Sequence, residues 1–420
     1  MSAAALKREV CDAIDAMAPD LIGVSHAIHA KPELAFHEFE AAKLLTSKLE
    51  AADLPVTRGA FGLPTAYASS FGPANTPEVA ILSEYDALPG IGHSCGHNII
   101  ATTGLGASLA LARLGARLPG RIRYLGTPAE ERGGGKELMA QEGAFDHLDA
   151  AMMVHPAGID LITMPCICVA EVIATYHGRS AHASAVPHAG LNALDALVTA
   201  YQSIAQLRQH IKSTERLHGI ITKGGSAPNI VPDITEGVFY VRAANAIELA
   251  ELKRRVQACF EAGALATGCT ADIKWGKVNF LDLKTSMPIA HSYETNMRSI
   301  GRDFFPLDKL PSGSAGSTDM GNVSHRVPSI HPMISCAPPN VVIHNPEFAR
   351  WAGGETGDKA CLDGAKALAM TAIDFMTDAD LRQSARQEFN ASAELSAKSI
   401  DAAFDPNGYV EIGGCGCGAH

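Results

Sequence analysis

Two hydrophobic rhythms alternate along the first third of the chain. Residues 4–30 and 38–52 repeat apolar side chains at helical spacing on either side of Lys31-Pro32-Glu33, and each reads as an amphipathic helix. Short apolar runs at 65–71, 78–84, 121–127 and 149–154 read as strands, with helices expected at 98–116 and 134–143. Strands alternating with helices predict an α/β domain with a mostly parallel central sheet, whose ligands gather beyond the carboxyl ends of the strands. Near residue 170 the rhythm changes. Strand-like 169–179, helical 190–212, strand-like 217–223 and 234–243, helical 246–267 and strand-like 271–279 follow in turn. That β-α-β-β-α-β order predicts an inserted α+β, ferredoxin-like domain over 171–285, with 1–170 and 286–420 forming one discontinuous domain around it. A last long helix is expected at 356–376.

Composition narrows the function classes. A chain of 420 residues with 47% hydrophobic and 19% charged residues is long enough for two soluble globular domains. Its net charge of −11 argues against nucleic acid or an anionic membrane as partner. The longest apolar stretch, 99–114, falls short of the ~20 residues that span a bilayer. Residues 1–20 carry Lys7, Arg8, Glu9, Asp12 and Asp15 without an apolar signal core, and ten cysteines are scattered without a compact framework. Reduced thiols and a cytoplasmic location are the expectation. The tail with Cys415, Cys417 and His420 is expected to bind metal incidentally at most.

The candidate chemistry lies just beyond the expected strand ends. His93-Ser94-Cys95-Gly96-His97-Asn98 follows a strand and opens a helix, a place where backbone N–H groups and the helix dipole favour a thiolate. Thiolate and imidazole together suit zinc or a similar divalent ion. Beyond 121–127 stands Pro128-Ala129-Glu130-Glu131-Arg132-Gly133-Gly134-Gly135. Adjacent carboxylates repel unless a cation or proton intervenes, so one can bind a metal while the other accepts a proton. A solvated turn would explain a lone Glu-Glu, but His155 follows the next strand and adds an imidazole to the same edge. In the inserted segment, His182 sits among small residues and can stabilise an oxyanion. Asn229 lies in the Gly224–Pro232 turn and can hold a carbonyl, and Arg242 can pair with a carboxylate. The Gly/Ser-rich loop 312–318, which includes Ser317 and Thr318, is of the kind that lines sites, and His344 stands beside a Pro turn.

Taken in order, these residues resemble the M20 family of metal-dependent peptidases and amidohydrolases. They are most similar to its M20D branch of N-acyl amino acid and aminobenzoyl-glutamate amidohydrolases and the related dipeptidases. The resemblance runs through His29-Ala30-Lys31-Pro32-Glu33-Leu34, Asp86-Ala87-Leu88-Pro89, His-x-Cys-Gly-His, Pro-Ala-Glu-Glu, the segments around His182 and from Asn229 to Arg242, and Ser317-Thr318-Asp319-Met320 with His344. It implies a catalytic metal-binding domain carrying a lid or dimerisation domain, and a likeness to homodimers or higher homo-oligomers. It also implies one or two divalent ions per subunit, zinc or manganese with cobalt or nickel as further options. Cys95, His97 and His155 would hold one ion, Glu131 and His344 the other. Glu130 matches the general base, and His182 matches a histidine that reaches a partner's site. Asn229 and Arg242 match positions that hold a small substrate's carbonyl and terminal carboxylate, and Ser317 and Thr318 adjoin that pocket. Three positions depart from the M20D pattern: Asn98 for Asp, Glu84 for Asp, and Ser-Thr-Asp-Met for Ser-Glu-Asp-Phe. They point towards the aminobenzoyl-glutamate and dipeptidase-like group.

The expected reaction is hydrolysis of a C–N bond in an N-acyl or aminobenzoyl amino acid or a dipeptide, with Glu130 carrying the proton. Rival readings are hydrolytic deamination of an electron-poor aromatic amine anchored on Arg242, a thiol hydrolase using Cys95 with His97 as base, and a metal-binding protein without catalysis.

Overall fold

The protein is described as a computed structural model covering residues 2–311 and 315–403. The tail with Cys415, Cys417 and His420, for which at most incidental metal binding was expected, lies outside the described residues. The chain divides into two units, Met1–Pro165 with Leu283–Ser396, and Cys166–Asp282 with the segment that begins at Ala397.

The first unit is built on strands β1 (Thr57–Arg58), β2 (Tyr67–Phe71), β3 (Glu78–Ser83), β4 (Arg121–Gly126) and β5 (Ala150–Met152). A short β6 (His155–Ala157) follows β5 where one strand was expected, because the chain leaves the main sheet between them. Late strands Ser329–Ile330 and Met333–Ser335 complete two sheets: the first extends the main sheet beside β5, the second pairs with β6. Pairing is parallel among β3, β4, β5 and Ser329–Ile330, and antiparallel only on the β1–β2–β4 side. The mostly parallel α/β class is therefore the observed one. β3 is buried on both faces: Val79 and Ile81 join one apolar cluster, Ala80 and Leu82 another. That explains its unbroken apolar run, since a strand covered on both sides has no polar face to alternate with.

Two sequence expectations change in this unit. The helix expected at 4–30 is two helices, Ala3–Ala16 and Ala18–His29, because Pro19 fits a helix's first turn but cannot continue one that precedes it. Helices Met287–Ser299 and Ala379–Asn390 also join it, too weakly apolar to stand out in the chain. The helix His97–Ala112 is buried along almost its whole length. It lies against β3 at Gly104, where a Cβ would come 2.3 Å from Ser83 Oγ.

The second unit carries β7 (Cys168–His177), β8 (Arg216–Lys223), β9 (Ile234–Ala243) and β10 (Thr270–Trp275). They form an antiparallel sheet in the order β10-β7-β9-β8, with helices Ala193–Leu207 and Ala246–Thr267 packed on it. This is the ferredoxin-like arrangement.

Candidate metal centre

The parallel strands deliver their carboxyl ends to one edge. β3 hands over to Glu84-Tyr85-Asp86, β4 to the 127–135 turn, β5 to His155, and Ser329–Ile330 to His331. Cys95 precedes the N-terminus of His97–Ala112, with Gly96 at φ +78° between them, where a Cβ would meet Pro156 Cγ at 2.5 Å. The backbone can make that turn only without a side chain.

Asp86 organises the centre. Its Oδ1 lies 3.0 Å from His97 Nδ1 and its Oδ2 accepts the Glu131 N–H at 2.9 Å. His97 Nε2 is thereby turned inward, 3.6 Å from Glu84, 3.7 Å from Glu131 and 3.9 Å from Glu130. Cys95 Sγ stands 3.4 Å from His155 Nε2, and His155 Nδ1 is held by the Pro156 carbonyl at 2.8 Å. His344, half exposed, reaches Glu131 Oε2 at 3.4 Å, and its N–H donates to the Ser94 carbonyl. Ligand-type atoms of Cys95, His97 and His155 lie within 4.8 Å of one another, and so do those of Cys95, Glu131 and His344. Glu84, His97 and Glu130 form a third such group.

These residues fit a divalent cation on their own chemistry. Glu84 Oε2, Glu131 Oε1 and His97 Nε2 are buried without a hydrogen-bond partner. Each such atom costs roughly 1–3 kcal/mol if nothing satisfies it. The donor set of thiol, imidazoles and carboxylate suits a first-row divalent ion. Burial, with the charges of Glu131 and Glu130, pushes the Cys95 thiol well above its usual range. Desolvation and two carboxylates thus oppose the thiolate that the helix N-terminus favours, and a bound cation would offset them. Burial holds His155 neutral, its pKa far below the ordinary value, so the Cys95–His155 pair is poorly suited to act as an ion-pair nucleophile. Burial opposes charge on His97 too, but the Asp86 hydrogen bond and the charges of Asp86, Glu84 and Glu131 raise it to about 10. Burial and then Glu84, Glu131 and Asp319 push Glu130 well above the usual carboxylate range.

Behind the centre, the fully buried Lys136 ammonium bonds Glu84 and, at 2.7 Å, Asp319, whose other oxygen accepts the Lys136 N–H at 2.9 Å. The chain does not mark Lys136 and Asp319 as a functional pair, because 183 residues separate them. His331 is a further residue that sequence reasoning missed. It is fully buried, neither ring nitrogen has a partner, and its ring lies 5.4 Å from that of His155. A signal for it exists: Ile330-His331-Pro332 repeats the strand-end pattern of Val154-His155-Pro156.

The remaining expected site residues are positioned differently. Thr318 is buried and its hydroxyl accepts the Met320 N–H, opening the short helix Met320–Ser324; Ser317 beside it is half-buried. Asn98 donates to Ser25 Oγ at 2.9 Å and the Ala352 carbonyl at 3.0 Å, away from the ligand groups. Within the second unit, His182 and Asn229 are exposed neighbours, joined by the Ala183 N–H to Asn229 carbonyl bond at 3.0 Å. Arg242 is at the far end of β9, eight residues beyond Ile234, where its Nε meets His218 Nε2 at 3.2 Å. Strand rise puts it about 27 Å from the end of β9 that adjoins Asn229. A single protomer therefore does not gather His182, Asn229 and Arg242 in one place.

The mouse Xaa-Arg dipeptidase is 40% identical to this chain over 403 residues, covering 93% of each protein. The chain belongs to the M20 peptidase family. Residues 169–267 match the family's peptidase dimerisation domain. One of the polypeptides of the Escherichia coli p-aminobenzoyl-glutamate hydrolase is 27% identical, over 91% of this chain and 94% of that protein. A Bacillus subtilis structure, described as a dinuclear metal-binding peptidase of the M20 family, shares the fold. Its TM-score is 0.64 at 19% identity, covering 87% of this chain and 99% of that one. As an M20 member the chain is a metal-dependent amide hydrolase acting on a C–N bond. No described helix is long and apolar enough to cross a membrane.

Proposed function

We propose that this enzyme hydrolyses the amide bond of a small dipeptide or N-acyl amino acid, with dipeptides ending in arginine or another basic residue as the first candidates. The carrying observation is the pair of ligand groups that share Cys95 and sit beside the buried Glu130. The 40% identity to a dipeptidase named for an Xaa-Arg substrate supports the substrate class.

In this reading Cys95, His97 and His155 hold one divalent ion and Cys95, Glu131 and His344 a second, zinc or manganese with cobalt or nickel as alternatives. Bound there, the ions supply Lewis acidity, polarising the scissile carbonyl and making water nucleophilic near neutral pH. Glu130 takes the proton from the attacking water and returns it to the leaving amine. Burial beside Glu84 and Glu131 raises its hold on a proton, which suits the return of that proton to the amine. Asp86 fixes the His97 tautomer and holds the Glu131 backbone. The separation along β9 supports a homodimer in which His182 and Asn229 serve the partner's site while Arg242 serves another substrate group. Cys11, Cys95, Cys168, Cys259, Cys269, Cys336 and Cys361 are free thiols, which supports a reducing, cytoplasmic setting.

The test is metal analysis of the purified protein, followed by assays with each ion restored. Substrates would be dipeptides ending in Arg or Lys, aminobenzoyl-glutamate and acidic aryl amines. Chelator-sensitive release of arginine supports the proposal. Ammonia release from the aryl amines without amide cleavage would overturn it.

A further inference from the structure

Glu38 has no part in the ligand set, yet it is fully buried beside it. Its carboxylate is completely committed. Oε1 accepts the Phe36 N–H at 3.0 Å and the Ala129 N–H at 2.9 Å, and Oε2 accepts the Thr65 hydroxyl at 2.9 Å. The two backbone donors share an unusual property. Phe36 at φ +63° and Ala129 at φ +62° are both non-glycine residues in the left-handed region. That conformation costs of order 1–3 kcal/mol and persists only where surroundings over-determine it.

One carboxylate oxygen thus pins two strained residues from separate segments. Ala129 is the residue before Glu130 and Glu131, and its own carbonyl accepts the Gly134 N–H at 3.1 Å. The other side of the turn is held by Asp86 through the Glu131 N–H. Phe36 adds a steric contact, because a Cβ on Gly133 would come within 2.4 Å of its ring. The loop preceding the helix Phe39–Glu50 is therefore a brace laid against the Pro128–Gly135 turn, and Glu38 is its fastening.

We propose that Glu38 is a positioning residue for the reaction. It acts through the Ala129 N–H to hold the strained turn that aims Glu130 at the substrate and Glu131 at its ion. This rests on the reading of Glu130 as base and Glu131 as ligand. The work is done by an acceptor oxygen rather than by charge, so a carboxamide can replace it: the amide oxygen takes the two N–H groups and the NH2 faces the Thr65 hydroxyl.

The experiment compares Glu38→Gln, Glu38→Ala and Glu38→Asp in the full-length protein. It measures kcat, KM, manganese and zinc affinity by chelator competition, and thermal stability. Glu38→Gln should stay within about threefold of wild type in all kinetic and binding constants. Glu38→Ala should lose about 100-fold in kcat, the scale of a 1 Å misplacement of a catalytic group, and weaken the lower-affinity ion about tenfold with KM little changed. Glu38→Asp, whose carboxylate falls short of Ala129, should lose kcat likewise and keeps the test open if the alanine variant does not fold. Wild-type kcat and ion affinity in folded Ala or Asp variants would overturn the proposal, as would a Gln variant as damaged as the Ala one. A parallel Glu130→Gln variant separates the two claims. If it retains turnover, the assignment of the base has failed. If it is inactive while Glu38→Ala is not, only the brace has failed.

Discussion

Replacing Asp86 with Asn exchanges one oxygen for an NH2 group and should disable the metal centre out of proportion to that change. The carboxylate makes two contacts, Oδ1 to His97 Nδ1 at 3.0 Å and Oδ2 from the Glu131 N–H at 2.9 Å. An amide offers only one acceptor, and the Glu131 N–H is an obligate donor. If the amide oxygen stays with Glu131, its NH2 must face His97 Nδ1, which then becomes the acceptor. That forces the ring proton onto Nε2, the nitrogen aimed at Glu84, Glu130 and Glu131. A protonated nitrogen has no lone pair for an ion. The opposite rotamer keeps the tautomer but leaves two N–H groups facing each other at Glu131. Loss of such an outer carboxylate weakens metal binding about 10–100-fold, or about 1.4–2.7 kcal/mol. The assay is chelator competition on metal-stripped protein at fixed pH, with circular dichroism confirming an unchanged fold. Affinity within twofold of wild type in a folded Asp86→Asn protein would show that Asp86 does not set the His97 tautomer.

Glu130→Gln should keep its ion content but lose about 10²–10⁴-fold in kcat, read by steady-state kinetics beside metal analysis; undiminished turnover removes Glu130 as the proton carrier. Lys136→Met leaves the Glu84 and Asp319 carboxylates buried without their cation, and should destabilise the metal-free protein by about 3–5 kcal/mol in a denaturant titration. An unmoved midpoint would mean the buried ion pairs are not holding the strand ends together. Cys95→Ala should lower the ion content of the purified protein, and a full complement in that variant rejects Cys95 as a ligand.

How much of this was legible in the chain depends on the distance over which each signal acts. Periodicity is local, so the alternation of β3, β4 and their helices announced the parallel sheet, and the β-α-β-β-α-β order announced the second unit. Glu131 and His155 were legible because each closely follows an apolar strand, where an α/β sheet collects its chemistry, and Cys95 and His97 because they open the next helix; His344 stood out only through the family resemblance. Breaks were less visible: Pro19 splits one apolar stretch into two helices without changing its spacing.

Tertiary structure alone decided what those groups became. Cys95 sits at a helix N-terminus that should favour its thiolate, yet burial beside Glu131 and Glu130 pushes the thiol well above its usual range. Glu38, 91 residues from Ala129 in the chain, and Lys136, 183 from Asp319, meet their partners only after folding. Buried charge and backbone strain are properties of what surrounds a residue, and one-dimensional order does not carry them. The chain by itself determined which chemistry was present and at which edge of the sheet; packing determined its protonation, its aim and the carboxylates that hold it there.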